Sequence, residues 1–286
     1  MSRVAILERL PRVRLGSLRQ RISLLYGGLF SIVLAVVIVL VSGGIERFGY
    51  ERASSDLSSN ARVFDEILEL RARQMRGSAD VLARDFGFRQ AVATEDDPTV
   101  ASALRSLRNR SKTSAAFVVG LDGSMVTDGS TGLPDAETLW YPLDEGKDKG
   151  IIRLGDTMAL AAASPIEVPD RVGWLVLAQP LDQTEMTRLA KLAAVDIDGS
   201  VQLRADMSEE LARMPLGTVN EGEARGDDLY HVSALPALQQ DLAPRLVLRH
   251  SLGEALAQYD GLKFMLLLVS LAGLALAILL GTGVAK

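Results

Sequence analysis

The stretch ISLLYGGLFSIVLAVVIVLVSGGI, residues 22–45, contains no charged residue and decides much of the fold of this chain. It is longer than the ~20 apolar residues that a helix needs to cross the ~30 Å hydrocarbon core of a bilayer. Six arginines and a single acidic residue, Glu8, precede it within residues 1–21. Because positively charged flanks stay in the cytoplasm, we expect a transmembrane helix that follows a basic cytoplasmic N-terminus.

A cleaved signal peptide is the competing interpretation of this run. Signal peptides have an apolar core of about 7–15 residues and a small-residue cleavage site of the A-x-A kind. The run in this chain is longer, and Ser42-Gly43-Gly44 does not form such a site. We therefore favour an uncleaved membrane anchor.

A second uncharged run, FMLLLVSLAGLALAILLGTGVA, covers residues 264–285 and predicts another transmembrane helix. Two spans put residues 46–262 on one side of a membrane, and both chain ends, including Lys286, on the cytoplasmic side. This arrangement is typical of a transmembrane receptor that contacts membrane lipid through its two spans.

The section between the two runs is acidic. It carries 23 basic and 35 acidic residues, so its net charge is −12. Such a balance argues against nucleic acid or anionic lipid as a partner of this section. The chain has no cysteine, which excludes disulfides and thiol chemistry.

A long amphipathic scaffold helix is predicted over residues 46–92. Apolar or small residues recur there mostly at intervals of three and four, and charged residues fill the opposite face. Because the helix follows the first apolar run without a visible turn, we expect it to continue from the membrane span.

The period then changes to that of strands, which predicts an α+β fold with two PAS-like modules in tandem. Residues 93–182 read as a helix, two strands around Asp122-Gly123, a short helix and three more strands, forming the membrane-distal module. A smaller membrane-proximal module is predicted over residues 183–250, with a second turn at Asp198-Gly199. A juxtamembrane helix, residues 251–263, then leads into the second span.

Three stretches resemble the double-CACHE ectodomains of bacterial transmembrane receptors, particularly those of histidine kinases and cyclic-di-GMP enzymes. They are RVFDEILELRARQMRGSADVLARDFGFRQAV (62–92), AFVVGLDGSMVTD (116–128) and GWLVLAQPLD (173–182). The resemblance implies a periplasmic sensor in a multi-pass protein of the bacterial inner membrane. It also implies that a cytoplasmic output domain, such as a histidine kinase or a diguanylate cyclase or phosphodiesterase, follows Lys286.

The sequence predicts neither catalysis nor a cofactor or metal in this segment. His231 and His250 stand in or beside predicted strands and lack the spacing of known metal motifs. No nucleophile elbow or phosphate-binding loop occurs, and the paired carboxylates fall in loops or at helix starts.

A ligand pocket in the membrane-distal module is the stronger functional hypothesis. Trp140 and Tyr141 lie on its short covering helix, Arg153 on the next strand and Trp174 on the last strand. An aromatic wall with one guanidinium suits a small carboxylate or amine-bearing molecule. The alternative is that both tryptophans are core residues and Arg153 lies on the surface.

Two functions remain open at this point. The first is sensing of a small molecule, with the signal carried through the membrane by helix movement. The partners expected for this function are the ligand and a second copy of the chain. The other is a pocketless interaction module that binds a periplasmic protein through its surface. A filled or empty pocket would discriminate between them.

Small residues on the second span suggest a helix–helix contact. Gly273, Ala277 and Gly281 repeat at intervals of four, which places them on one helical face. Such spacing allows close helix approach in lipid, and the alternative is ordinary glycine and alanine content.

Overall fold

The computed structural model describes the backbone of residues 18–193, 197–221, 228–257 and 259–283. Side chains are described for residues 28–193, 197–220, 228–257 and 259–276. The chain divides into two compact units. One comprises the described residues up to Glu51 together with those from Glu254 onward, and the other is Arg52–Gly253.

The described chain has an α+β fold, as the sequence predicts. Its helices are α1 (Leu18–Ala83), α2 (Phe86–Val92), α3 (Asp97–Ser111), α4 (Ala136–Asp144), α5 (Gln183–Leu192), α6 (Glu209–Arg213), α7 (Leu252–Ala257) and α8 (Asp260–Gly283). Its strands are β1 (Ala115–Gly120), β2 (Met125–Thr127), β3 (Lys149–Leu154), β4 (Thr157–Glu167), β5 (Arg171–Pro180), β6 (Asp198–Leu203), β7 (Val219–Glu221), β8 (Asp228–Ala234) and β9 (Pro244–Ser251).

The first unit holds the beginning of α1 together with α8. Among the described residues, one helix is long and apolar enough to cross a membrane, the part of α1 that begins at Gly28. In the same unit, the Lys263 ammonium of α8 lies 3.7 Å from the Glu46 carboxylate of α1. Gly273 of α8 faces Phe30 of α1, since a Cβ at Gly273 would lie 3.9 Å from the Phe30 ring.

The predicted scaffold helix is divided. Instead of continuing to Val92, α1 ends at Ala83 and the separate helix α2 begins at Phe86. Asp85 starts α2 because its carboxylate accepts a hydrogen bond from the Phe88 amide at 3.0 Å, an N-cap that satisfies a free donor of the first turn. The prediction of one helix over residues 46–92 is therefore wrong at its C-terminal end.

The first sheet of the second unit has five antiparallel strands in the order β2-β1-β5-β4-β3. Successive residues of a strand point to opposite faces. One face, here called the α4 face, packs against Leu139 and Leu143 of α4 through Phe117, Val176 and others. The opposite face, here called the α1 face, meets α1, where the Ser164 hydroxyl donates to the Asp80 carboxylate at 3.2 Å.

The second sheet has four antiparallel strands in the order β6-β9-β8-β7. It differs from prediction at Asp198-Gly199, which belongs to strand β6 and not to a turn. Gly199 pairs with Leu248 there, and a Cβ on it would lie 3.0–3.1 Å from Met186 and Leu248. The glycine allows close packing inside a strand, and an Asp-Gly pair in the sequence does not distinguish this role from a turn.

The junction before the second span also differs from prediction. Helix α7 ends at Ala257 and α8 starts at Asp260, so Ser251 and the residues after it do not form one helix that continues into the span. Gly261 lies inside the first turn of α8.

Candidate functional site

Helix α4 covers the α4 face of the first sheet and places two of the predicted site residues in one cluster. Trp174 of β5 is 4% exposed and belongs to the core of that face, and Trp140 of α4 packs against the same core. The indole N–H of Trp140 is buried and has no hydrogen-bond acceptor among the residues that the structure describes. A buried donor without a partner costs about 1–3 kcal/mol, so an acceptor from a ligand or a water is expected beside it.

The structure does not bring Arg153 to these tryptophans. Arg153 pairs with Met158, and Trp174 pairs with Pro165, seven residues further along β4. At about 3.3 Å per residue, the two positions are separated by roughly 23 Å along the strand. Arg153 also follows Ile152 of the α4 face, so its side chain points to the opposite face.

The hydrogen bond of Tyr141 is local, whereas Arg153 contacts both a neighbouring turn and a distant segment. The Arg153 guanidinium donates to the Gly155 carbonyl at 3.2 Å, and its backbone amide donates to the Gln239 side chain at 2.9 Å. Tyr141 is 52% exposed. A hydrogen bond with Glu145 raises the pKa of the Tyr141 hydroxyl. A ligand role for these two residues stays a prediction.

One charged residue beside the tryptophans did not emerge from the sequence. The Arg171 guanidinium lies over the Trp174 ring, 5.7 Å from its centroid, in cation–π geometry. Arg171 precedes Trp174 by three positions in β5, so inspection of the sequence could have shown that the two residues lie near each other.

Polar contacts join α1 to the first sheet. Besides the Ser164–Asp80 hydrogen bond, the Arg76 guanidinium lies 3.1 Å from the Asp148 carboxylate. The Lys149 ammonium donates to the Glu69 carboxylate. These contacts fix α1 against the edge at which β3 begins.

The same helix contacts the second sheet further toward its N-terminus. The Ser233 hydroxyl of β8 donates to the Asp65 carboxylate at 3.2 Å. Two residues before Ser233 and on the same face, His231 is 5% exposed, and its buried Nδ1 has no hydrogen-bond partner in the described part of the chain. Burial lowers the pKa of His231 although Asp65 opposes this, and burial raises the pKa of Asp65 although Ser233 and His231 oppose it.

The two sheets also contact each other directly, through the β8–β9 connection. The Ile151 amide donates to the Pro236 carbonyl at 2.8 Å, and the Leu238 amide donates to the Ile151 carbonyl at 3.0 Å. Gly150 has φ +155°, and a Cβ on it would lie 2.5 Å from the Leu238 nitrogen. This contact joins residues more than 80 positions apart, which no local sequence pattern predicts.

Asp128 is a buried carboxylate that sequence analysis did not single out as a site. Its side chain is fully buried, 3.0 Å from the Arg108 guanidinium, and accepts from the Ser130 amide at 2.8 Å. These partners are supplied by α3 and by the loop after β2. They assign Asp128 a role in fixing that loop.

The predicted helix–helix contact on α8 is described only in part. Gly273 faces Phe30 of the same chain, as given above. The side-chain positions of Ala277 and Gly281 lie outside the described residues. A contact between two copies through this face stays a prediction.

Residues 69–199 match the CHASE4 domain family. The match begins at Glu69 in α1, includes the whole first sheet and ends in β6. With the CHASE4 match, the predicted resemblance to a periplasmic PAS-like sensor region of a bacterial receptor is confirmed. No curated protein sequence matches the chain.

Several solved structures resemble this chain. The periplasmic domain of Vibrio cholerae LuxQ has a TM-score of 0.47 and 12% identity, with 69% of this chain and 99% of that chain covered. A sensory box/GGDEF family protein from Vibrio parahaemolyticus has a TM-score of 0.47 and 13% identity, covering 73% and 99%. The ligand-binding domain of the Campylobacter jejuni chemoreceptor Tlp3, solved in complex with L-valine, has a TM-score of 0.45 and 11% identity, covering 74% and 97%.

Proposed function

We propose that this chain is the sensory and membrane-spanning part of a bacterial receptor. Its two sheets form a periplasmic double-CACHE sensor, and residues 22–45 and 264–285 are the two spans that hold it in the inner membrane. The CHASE4 match and the apolar start of α1 support this proposal. Segments beyond Lys286 would carry the output, and no catalytic step is assigned to the residues described here.

The observation that carries the proposal is the set of contacts made by α1. Within the second unit, Asp80 binds Ser164 of the first sheet and Asp65 binds Ser233 of the second sheet. The same helix begins at Leu18 and includes the apolar run. A change in either sheet that displaces α1 would therefore be carried along this helix to the part that we assign to the membrane.

A small molecule is the proposed signal, and its site is the α4 face beside Trp140. The Trp140 indole N–H, which has no acceptor within the described ranges, offers one fixed donor to an oxygen or nitrogen of the ligand. The two tryptophans supply apolar contact area. A ligand changes the helix position only if it binds one arrangement of α4 and the sheet better than the other.

The signal is proposed to pass through a homodimer whose α1 and α8 helices shift relative to one another. Nothing in the described residues favours the alternative of a pocketless protein-binding module.

The test locks α1 to the first sheet. The full chain is fused after Lys286 to a histidine-kinase output domain, and Asp80 and Ser164 are both replaced by Cys. Their side chains are hydrogen-bonded in the native chain, which has no cysteine of its own. Oxidation should hold the kinase in one state, and reduction should restore its response to periplasmic extract.

The two single-cysteine variants serve as controls and should respond equally with and without oxidant. If the cross-linked double variant responds to extract as fully as the reduced protein does, α1 does not transmit the signal and the proposal is wrong.

A further inference from the structure

A cavity of about 220 Å³ lies where α1, the first sheet and the β8–β9 connection meet. Its apolar walls include Leu68 of α1, Ile151 of β3 and Leu160 of β4, together with Pro236 of the connection. All of these belong to the second unit. The volume is below the roughly 300–1,000 Å³ of sites for drug-sized ligands, so the cavity suits a small molecule.

Three charged side chains line this cavity, two acidic and one basic. Glu69 is already paired, because the Lys149 ammonium donates to it and the Arg73 guanidinium lies 3.9 Å away. Asp65 has no ion-pair partner among the described residues, and its one hydrogen bond there comes from the Ser233 hydroxyl at 3.2 Å. An ionised carboxylate can accept several hydrogen bonds, so Asp65 retains free acceptor positions.

No cation forms an ion pair with Asp65 among the described residues, and burial raises the pKa of its carboxyl group, so its negative charge is costly. Its neighbour His231 is buried, and burial favours the neutral imidazole. A half-buried carboxylate without a cation is costly, and a ligand that brings a positive charge removes that cost. The remaining lining is apolar and favours a short hydrocarbon body.

We propose that this cavity binds a small organic cation, a primary ammonium on an apolar body, with the ammonium donating to Asp65. The site is separate from the α4 face, because Leu160 and Ile151 belong to the α1 face of the first sheet. The bound molecule would touch α1 and both sheets at once, and it would thereby favour the arrangement in which they are assembled.

The experiment measures binding of three probes of similar shape to the purified full chain in detergent. The probes are the cationic n-butylammonium, the neutral 1-butanol and the anionic butyrate. Binding is measured by calorimetry and by the shift in Tm. Butylammonium should bind saturably and raise Tm, while butanol and butyrate should bind at least about tenfold more weakly. Tighter binding of butyrate, or no difference among the three, would overturn the assignment.

Variants test the position of the site. Asp65→Asn keeps the shape and an acceptor for Ser233 but removes the charge, and should weaken butylammonium binding at least about tenfold. Glu66→Gln is the matched control, since Glu66 is an exposed acid on the same helix that does not line the cavity. It should leave the affinity unchanged.

A second variant does not depend on charge. Ala234 lines the cavity and is exposed, so Ala234→Leu narrows the cavity at little cost to folding. It should also weaken butylammonium. Unchanged affinity in both Asp65→Asn and Ala234→Leu would place the cation elsewhere. Trp140→Phe should not affect butylammonium, which distinguishes failure of this site from failure of the proposed sensor site.

Discussion

At the scale of single residues, several positions have a role that depends on contacts between distant segments. Gly150 is the clearest of them, because its backbone conformation and its closeness to Leu238 both exclude a side chain. His231 is another, since it places a titratable group on the buried face that meets α1. Each of these residues gives a measurable prediction.

Replacing Gly150 by Ala should destabilise the chain by about 2–3 kcal/mol, because a Cβ must both adopt positive φ and displace the β8–β9 connection. Urea unfolding of the purified chain measures the loss. Gly146→Ala is the control, because Gly146 has φ +91° with no atom near its Cβ position. It should show the backbone cost alone, about 1–2 kcal/mol. Equal losses in the two variants would argue against a close contact at Gly150.

The stability of the chain should fall as pH decreases below about 6.5, the usual pKa of histidine. Burial lowers the pKa of His231 in the folded chain, so the unfolded chain binds its proton first and acid favours unfolding. The raised pKa of Asp65 has the opposite effect, because the folded chain binds this proton before the unfolded chain does. Acid therefore favours folding through Asp65 in a pH range that begins at the usual aspartate pKa of about 3.8 and extends upward. Thermal unfolding between pH 7 and pH 5 therefore measures the net effect of the two groups.

His231→Leu should flatten this pH dependence, because it replaces a buried imidazole, whose Nδ1 has no partner among the described residues, by an apolar side chain that does not titrate. If His231→Leu keeps the full acid sensitivity, other groups are responsible for it.

At the scale of elements, the helices end where side chains cap them or where they meet another segment. Asp85 separates α1 from α2 by capping the second helix. In the other unit, Gly273 lets α8 approach Phe30 of α1. The small-residue face predicted from the sequence is therefore filled, at Gly273, by a helix of the same chain.

Cysteines at Phe30 and Gly273 should be joined within one chain by a short bifunctional thiol crosslinker, because the Gly273 Cβ position lies 3.9 Å from the tip of the Phe30 ring. The crosslinker is needed because the length of the ring keeps the two Cβ atoms further apart than a direct disulfide spans. Crosslinking of the double variant in membranes should give a monomer with altered mobility on gels. Leu271 is 55% exposed and lies about 200° away around the helix from Gly273, so Phe30 with Leu271 is the negative control. Crosslinked dimers without the intrachain product would contradict this contact and favour an interface between two copies.

At the scale of the whole molecule, the proposed function requires residues 46–262 to lie outside the cytoplasm and both chain ends inside it. A reporter fused after Asp241, in an exposed turn between β8 and β9, should be active in the periplasm. One fused after Lys286 should be active in the cytoplasm. The six arginines before the first apolar run provide the physical reason. Activity of both fusions in the same compartment would exclude two spans.

The sequence by itself determined the elements of this protein. The strands of the first sheet and helices α3, α4 and α5 follow from local periodicity and turn residues, which act over a few neighbouring positions. The apolar start of α1 follows from composition alone. The presence of Trp140 and Trp174 in one cluster was also predictable, because a covering helix and a strand of one module must share a core.

The tertiary structure decided which of those residues work together. It separated Arg153 from the tryptophans, because strand register and the alternation of faces fix where a side chain points. It also joined Asp65 to Ser233 and Ile151 to Pro236, across 168 positions in the first case. Contacts at such separations arise from packing of complete elements, and no pattern within a window of the sequence contains them.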